Sequence, residues 1–141
     1  MAELDIYQVA KDIQKNESDL EDLRLLARSA VKEFKAAGTP MVNSDVEYKK
    51  QIGIAIVKLF NGVEMELAGM KVQKPPATIM IKIAEAICSD YQLKRDTAAA
   101  LYDAAKSKVC GLNEEMKNVE SQLTGNQSLF KSFEQMIRTR Q

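Results

Sequence analysis

The sequence predicts an all-α or mostly α fold. Long amphipathic helices dominate, the N-terminal and C-terminal helices pack antiparallel like a coiled coil, and a single β-hairpin at 50–72 is the one β alternative. Three observations carry this. Apolar residues recur in alternating steps of three and four at both ends of the chain. Breaker signals fall between these segments, as Gly-Thr-Pro at 38–40 and Gln-Lys-Pro-Pro-Ala at 73–77. Outside 50–72 nothing alternates as a strand does.

The first helix is expected over 5–37. One row of its seam holds Ile6, Ile13, Leu20, Ala27 and Phe34, and the other Val9, Asn16, Leu23, Ala30 and Ala37. Asp12, Glu17, Asp19, Arg24 and Glu33 edge that seam with charge. Gly38 and Pro40 are expected to stop the helix, glycine just past its end and proline beyond. Asn16 is the one polar residue in the seam, which reads either as a register device or as a solvated position near a helix end.

Ser44 with Glu47 forms a capping box, so a second element starts at Asp45 and runs to 72. Its Phe-Asn-Gly-Val-Glu-Met-Glu-Leu core reads two ways. As a helix it runs Tyr48, Ile52, Ile56, Leu59, Val63, Leu67 and Met70, weakened by Gly53 and Gly62. As a hairpin it turns at Asn61-Gly62, the strongest short hairpin signal. The helix leads, because an isolated hairpin needs a covering partner and no other strand is in view.

After the paired prolines a short helix is expected over 77–88, with Ile79, Ile83 and Ile87 along one side. Ser89 and Gln92 form a second capping box that opens the last helix, over 90–140. Ala98, Leu101 and Ala105 lead in, and the change of phase before Val109 predicts a stutter. Val109, Leu112, Met116, Val119, Leu123, Asn126, Phe130, Phe133 and Ile137 then keep one heptad phase. That phase favours a bent, continuous helix over a break near 125. Antiparallel pairing would set Ile6 near Ile137, Ile13 near Phe130, Asn16 against Asn126, Leu20 near Leu123 and Phe34 near Val109 or Leu112. The two asparagines would then satisfy each other. The same rows could pair between chains. At this length the reading is one elongated helical domain over 1–141.

Composition bounds the function. The chain has no histidine and two cysteines, Cys88 and Cys110, so His-based triads and structural zinc sites are excluded. No Walker loop, dinucleotide fingerprint or paired-carboxylate motif appears, and no enzyme activity, cofactor, metal or small-molecule substrate is expected. No apolar run spans a bilayer, and the charged N-terminus is not a signal peptide, so the expected place is the cytoplasm, with no membrane partner. The formal charge is zero, but residues 1–45 carry six Lys/Arg against nine Asp/Glu, and residues 46–141 carry fourteen against eleven. That permits a basic face. Its candidate nucleic-acid residues are Lys49, Lys50, Lys58, Lys71, Lys74, Lys94 and Arg95, with Tyr48, Phe60, Tyr91 and Tyr102 the only aromatics near them. Candidate seam and self-association residues are Ile6, Ile13, Asn16, Leu20, Leu23, Leu112, Val119, Leu123, Asn126 and Phe130.

Residues 75–137 carry a Thr before a short amphipathic helix (Thr78) and an Asp opening a long helix (Asp90). A terminal run of alternating apolar residues follows, including Leu101, Val109, Leu112, Leu123 and Leu129. In this the stretch resembles small helical phage recombination mediators of the UvsY-like type. The resemblance implies a non-enzymatic oligomer that binds single-stranded DNA and loads a recombinase on it, in the host cytoplasm if phage-encoded. The competing expectation is a helical scaffold, adaptor or inhibitor whose partner is another protein.

Overall fold

The structure is a computed structural model that describes residues 5–140. Its elements in order are α1 (Ile6–Phe60), β1 (Met65–Leu67), β2 (Met70–Val72), α2 (Ala77–Ile87) and α3 (Ser89–Thr139). The two long helices pack against each other, and β1 and β2 form a small antiparallel sheet. The chain divides into two compact units: one pairs the stretch up to Glu33 with the stretch from Lys106, and the other spans Phe34–Ala105. Among the described residues no helix is long and apolar enough to cross a membrane.

Asp5 caps α1, its carboxylate accepting the Tyr7 N–H at 2.9 Å. The helix does not stop at Gly38. It continues through Pro40 to Phe60, and the expected start at Asp45 lies well inside it. Proline removes one N–H, leaving the Ala36 carbonyl without its helical donor. Ala36 and Pro40 are both exposed, so that carbonyl lies on the outer side, where water can solvate it. On the inner side Ala37, Met41, Ser44 and Tyr48 carry the three-four alternation onward, all at least half-buried. Continuous packing on one face outweighs a local fault on the other. The supposed cap residues bond within the helix instead. Ser44 Oγ donates to the Met41 carbonyl at 3.0 Å, and Glu47 accepts from Gln51 Nε2 at 2.8 Å.

Asn61-Gly62 ends α1 rather than turning a hairpin. Gly62 has φ +79°, the Gly62 N–H donates to the Leu59 carbonyl, and the Val63 N–H donates to the Lys58 carbonyl. These two bonds are a Schellman stop, which needs the left-handed conformation glycine adopts freely. The hairpin follows immediately, with Met65 opposite Val72, Glu66 opposite Lys71 and Leu67 opposite Met70. Its turn is Ala68-Gly69, with φ +49° and +78°. Positive φ at both central residues matches the hand of a two-residue hairpin. Both readings of 50–72 are therefore met in part: helix up to Phe60, then a hairpin whose turn lies seven residues later than expected.

The unit spanning Phe34–Ala105 has a true core. Tyr48, Ala55, Leu59, Met80, Ala84 and Cys88 are buried together, with Ile52, Ile56, Met65, Val72, Ile83, Ile87 and Tyr91 packed around them. The hairpin thus finds its cover in this cluster. In α2 Met80 and Ala84 are buried and Ile83 and Ile87 pack beside them, while Ile79, the first residue of the expected row, is exposed. Cys88 separates α2 from α3: its N–H bonds the Ala84 carbonyl and its carbonyl accepts the Gln92 N–H. The start of α3 is therefore capped by Cys88 rather than by the Ser89 box.

No stutter interrupts α3. Leu101 is exposed and Tyr102 takes its place, so Ala98, Tyr102, Ala105 and Val109 step by four, three and four. The Tyr102 ring lies 4.9 Å from that of Phe34, where Val109 or Leu112 was the expected neighbour. The helix also runs unbroken through Gly125. In the other unit, Glu33 pairs with Lys108 at 3.3 Å, and Asn16 and Asn126 line one notch, which sets the two helices of the seam antiparallel. Ile137 is exposed, so the apolar row of α3 ends at half-buried Phe133 and Ile6 lacks that cover.

Candidate nucleic-acid interface and helix seam

Between Val42 and Asn61 the helix α1 has two faces. Tyr48, Ala55 and Leu59 turn into the core. On the opposite side Val42, Val46, Lys49, Gly53, Val57 and Phe60 are exposed and recur at four-three spacing. At 100° per residue they fall within an arc of about 80°. Lys50 sits beside this arc, whereas Lys58 lies about 100° beyond it; both are exposed. No carboxylate of this segment is fully exposed: Asp45 and Glu47 are half-buried toward the flanks. Two lysines and an exposed aromatic ring thus share one side of the helix.

The seven basic candidates have different surroundings. Lys49 pairs with Asp45 at 3.0 Å, one turn back. Lys50 and Lys58 have no ion-pair partner among the described residues. Lys71 lies on β2 directly across from Glu66, which offsets its charge. Lys74 is exposed just before the prolines, with φ +45°. Lys94 stands 5.8 Å from the Tyr91 ring centre. Arg95 does not belong with the face at all. Its guanidinium lies 4.2 Å over the ring of Tyr48, a core residue, and pairs with Asp96 at 3.1 Å. It stacks at the edge of the core as arginine does on aromatic faces.

Of the four nearby aromatics, Tyr48 is buried, Tyr91 and Tyr102 are half-buried, and Phe60 is 69% exposed. Phe60 is the one free for stacking. The apolar members of the face, Val42, Val46 and Val57, escaped the sequence reading. Their signal was a second stripe of fours and threes opposite the seam. It was masked by treating Gly38-Thr39-Pro40 as a boundary.

The seam residues are placed as follows. Leu20 and Asn16 are buried; Ile6, Ile13, Leu23, Leu112, Val119, Leu123, Asn126 and Phe130 are half-buried. Asn16 and Asn126 line the same notch but do not satisfy each other. Asn16 Nδ2 is buried with no hydrogen-bond partner. Leaving such a donor unmade costs about 1–3 kcal/mol, so the layer is polar and incomplete.

Cys88 is buried and its thiol pKa is pushed up by desolvation, whereas Cys110 is exposed. Among the described residues no cluster of three or more His, Cys, Asp or Glu is placed to hold a metal ion. Comparison with known proteins finds no matching family, no matching curated protein and no matching solved structure.

Proposed function

We propose that this chain is a non-enzymatic helical accessory protein that binds single-stranded DNA, in the manner of a phage-type recombination mediator. The observation that supports this reading most is the outer face of α1. Lys49 and Lys50 share it with exposed Phe60, and no fully exposed carboxylate interrupts them. Single-strand sites combine cations that track phosphates with aromatic rings on which bases stack, and both are present here. The resemblance of residues 75–137 to UvsY-like mediators points the same way. The overall charge balance lends no help. Residues 34–105 hold nine Lys/Arg against eight Asp/Glu, so attraction must come from this local face.

Fluorescence anisotropy with a labelled oligonucleotide tests the reading. Binding should weaken steeply with salt, because each neutralised phosphate releases counterions. The double variant Lys49→Ala/Lys50→Ala should flatten the slope of log affinity against log salt by about 1.4, at roughly 0.7 per single-strand contact. Phe60→Ala should lose on the order of tenfold or more, since one stacked base is worth about 1–3 kcal/mol. Absence of binding at low salt removes this proposal. A second reading, a scaffold or adaptor for another protein, draws on Val42, Val46 and Val57, exposed at 54%, 58% and 59% on the same face. A stoichiometric protein partner that survives nuclease treatment and is lost in Val46→Asp would favour it.

A further inference from the structure

We infer, resting on the single-stranded DNA reading, that Gln73 is a positioning residue: it clamps the chain after β2 to the end of α1, and so holds Lys74 where its ammonium takes the phosphate next to the base stacked on Phe60. Gln73 Nε2 donates to the Gly62 carbonyl at 3.0 Å, 11 residues back in the chain. Gly62 follows closely on Phe60, so this bond brings Lys74 to the end of α1 that presents the exposed ring. Lys74 is itself exposed and has no ion-pair partner among the described residues, whereas Lys71 of the hairpin faces Glu66. Lys49 and Lys50 lie about three turns back along α1 from Phe60, and Lys58 lies off that face. Lys74 thus supplies the cation that the ring's end of the face otherwise lacks.

The backbone at Lys74 is held against its local preference. Its φ is +45°, in the left-handed region that residues with a Cβ avoid. A residue before proline is also pushed toward extended backbone, and Pro75 follows. Two neighbours fix the conformation from either side, the Gln73 bond before it and buried Pro75 after it. Glycine would meet the same turn without strain, as it does at Gly62 and Gly69. Strain retained under an exposed, unpaired cation points to a role for that cation. Phosphates and bases alternate along a single strand, so a cation at the end of the stacking helix meets the phosphate beside the base on Phe60.

Anisotropy titrations of the full chain with a labelled oligothymidylate across a salt series, read beside denaturant midpoints, test this. Lys74→Gly should raise the midpoint, because it relieves the backbone, and should flatten the slope of log affinity against log salt by about 0.7, the value of one single-strand contact. Lys74→Arg should keep the wild-type slope. Gln73→Ala should stay helical by circular dichroism and keep the Lys74 charge, yet flatten the slope by the same amount. In the Lys74→Gly background it should change the slope no further, because the two residues act as one unit. A Gln73→Ala or Lys74→Gly chain with the wild-type slope overturns the inference and leaves the DNA reading standing, as do slope changes that add in the double variant. So does a lower midpoint in Lys74→Gly, the result of a cation that serves only the carbonyl end of α1. A wild-type chain that binds no oligonucleotide at low salt removes both.

Discussion

Cys88 and Cys110 show how burial alone separates two identical side chains. Cys88 sits at the junction of α2 and α3 among Leu59, Met80 and Ala84, and burial holds its thiol protonated beyond the usual range. Cys110 stands exposed on α3. Only the thiolate reacts, so a thiol reagent near neutral pH should label Cys110 quickly and Cys88 only after denaturant is added. Mass spectrometry of the labelled peptides reads this out, and equal labelling in the native state would contradict the core. The linkage has a definite sign. A thiol whose pKa is raised on folding contributes stability below its unfolded pKa, and that contribution is lost as pH rises through the folded value. Stability should therefore fall on the alkaline side through Cys88, and Cys88→Ala should blunt that fall.

At the level of elements, two residues that are breakers by type behave differently by place. Pro40 sits inside α1 on its outer side and the helix survives it; Gly62 sits at a helix end with positive φ and stops it. Opposite responses follow. Pro40→Ala restores an N–H for the Ala36 carbonyl and should stabilise the chain, by up to about 3 kcal/mol less the entropy proline removes from the unfolded chain. Gly62→Ala meets no neighbour within 4 Å but must hold a left-handed backbone, and should cost about 1–2 kcal/mol. Chemical denaturation midpoints of the two variants give the comparison. Shifts of the same sign would mean that α1 is not continuous as described.

For the molecule as a whole, the two units differ in how they are held. Phe34–Ala105 folds around a cluster fed by α1, the hairpin, α2 and the start of α3. The other unit rests on a two-helix seam in which Val9, Leu20 and Ala30 are the buried apolar residues. Amide exchange should thus be slowest around Ala55–Leu59 and Ala84, and faster in the seam toward Phe133. Uniform protection would argue against two separately cored units.

Much of this was readable in the residues. The seam rows of 6–37 and 109–133 follow from heptad spacing, which is local and repeats many times; their antiparallel pairing within the chain, with Asn16 and Asn126 at one level, was one of the arrangements that spacing allowed. The outer face of α1 was half legible: its lysines and Phe60 were visible, but its valines were hidden behind an assumed stop. Heptad phase set the helical character and the inward face of both ends, because burying one stripe depends only on periodicity. Whether Pro40 breaks α1, where the hairpin turns, and which of Leu101 and Tyr102 points inward were settled by packing. Each depends on what lies across from it: water beside Ala36, the Leu59–Ala84 cluster beside the hairpin, and the Phe34 ring beside Tyr102. Solvent exposure and contacts between distant positions in the chain decide these, and no local pattern contains them.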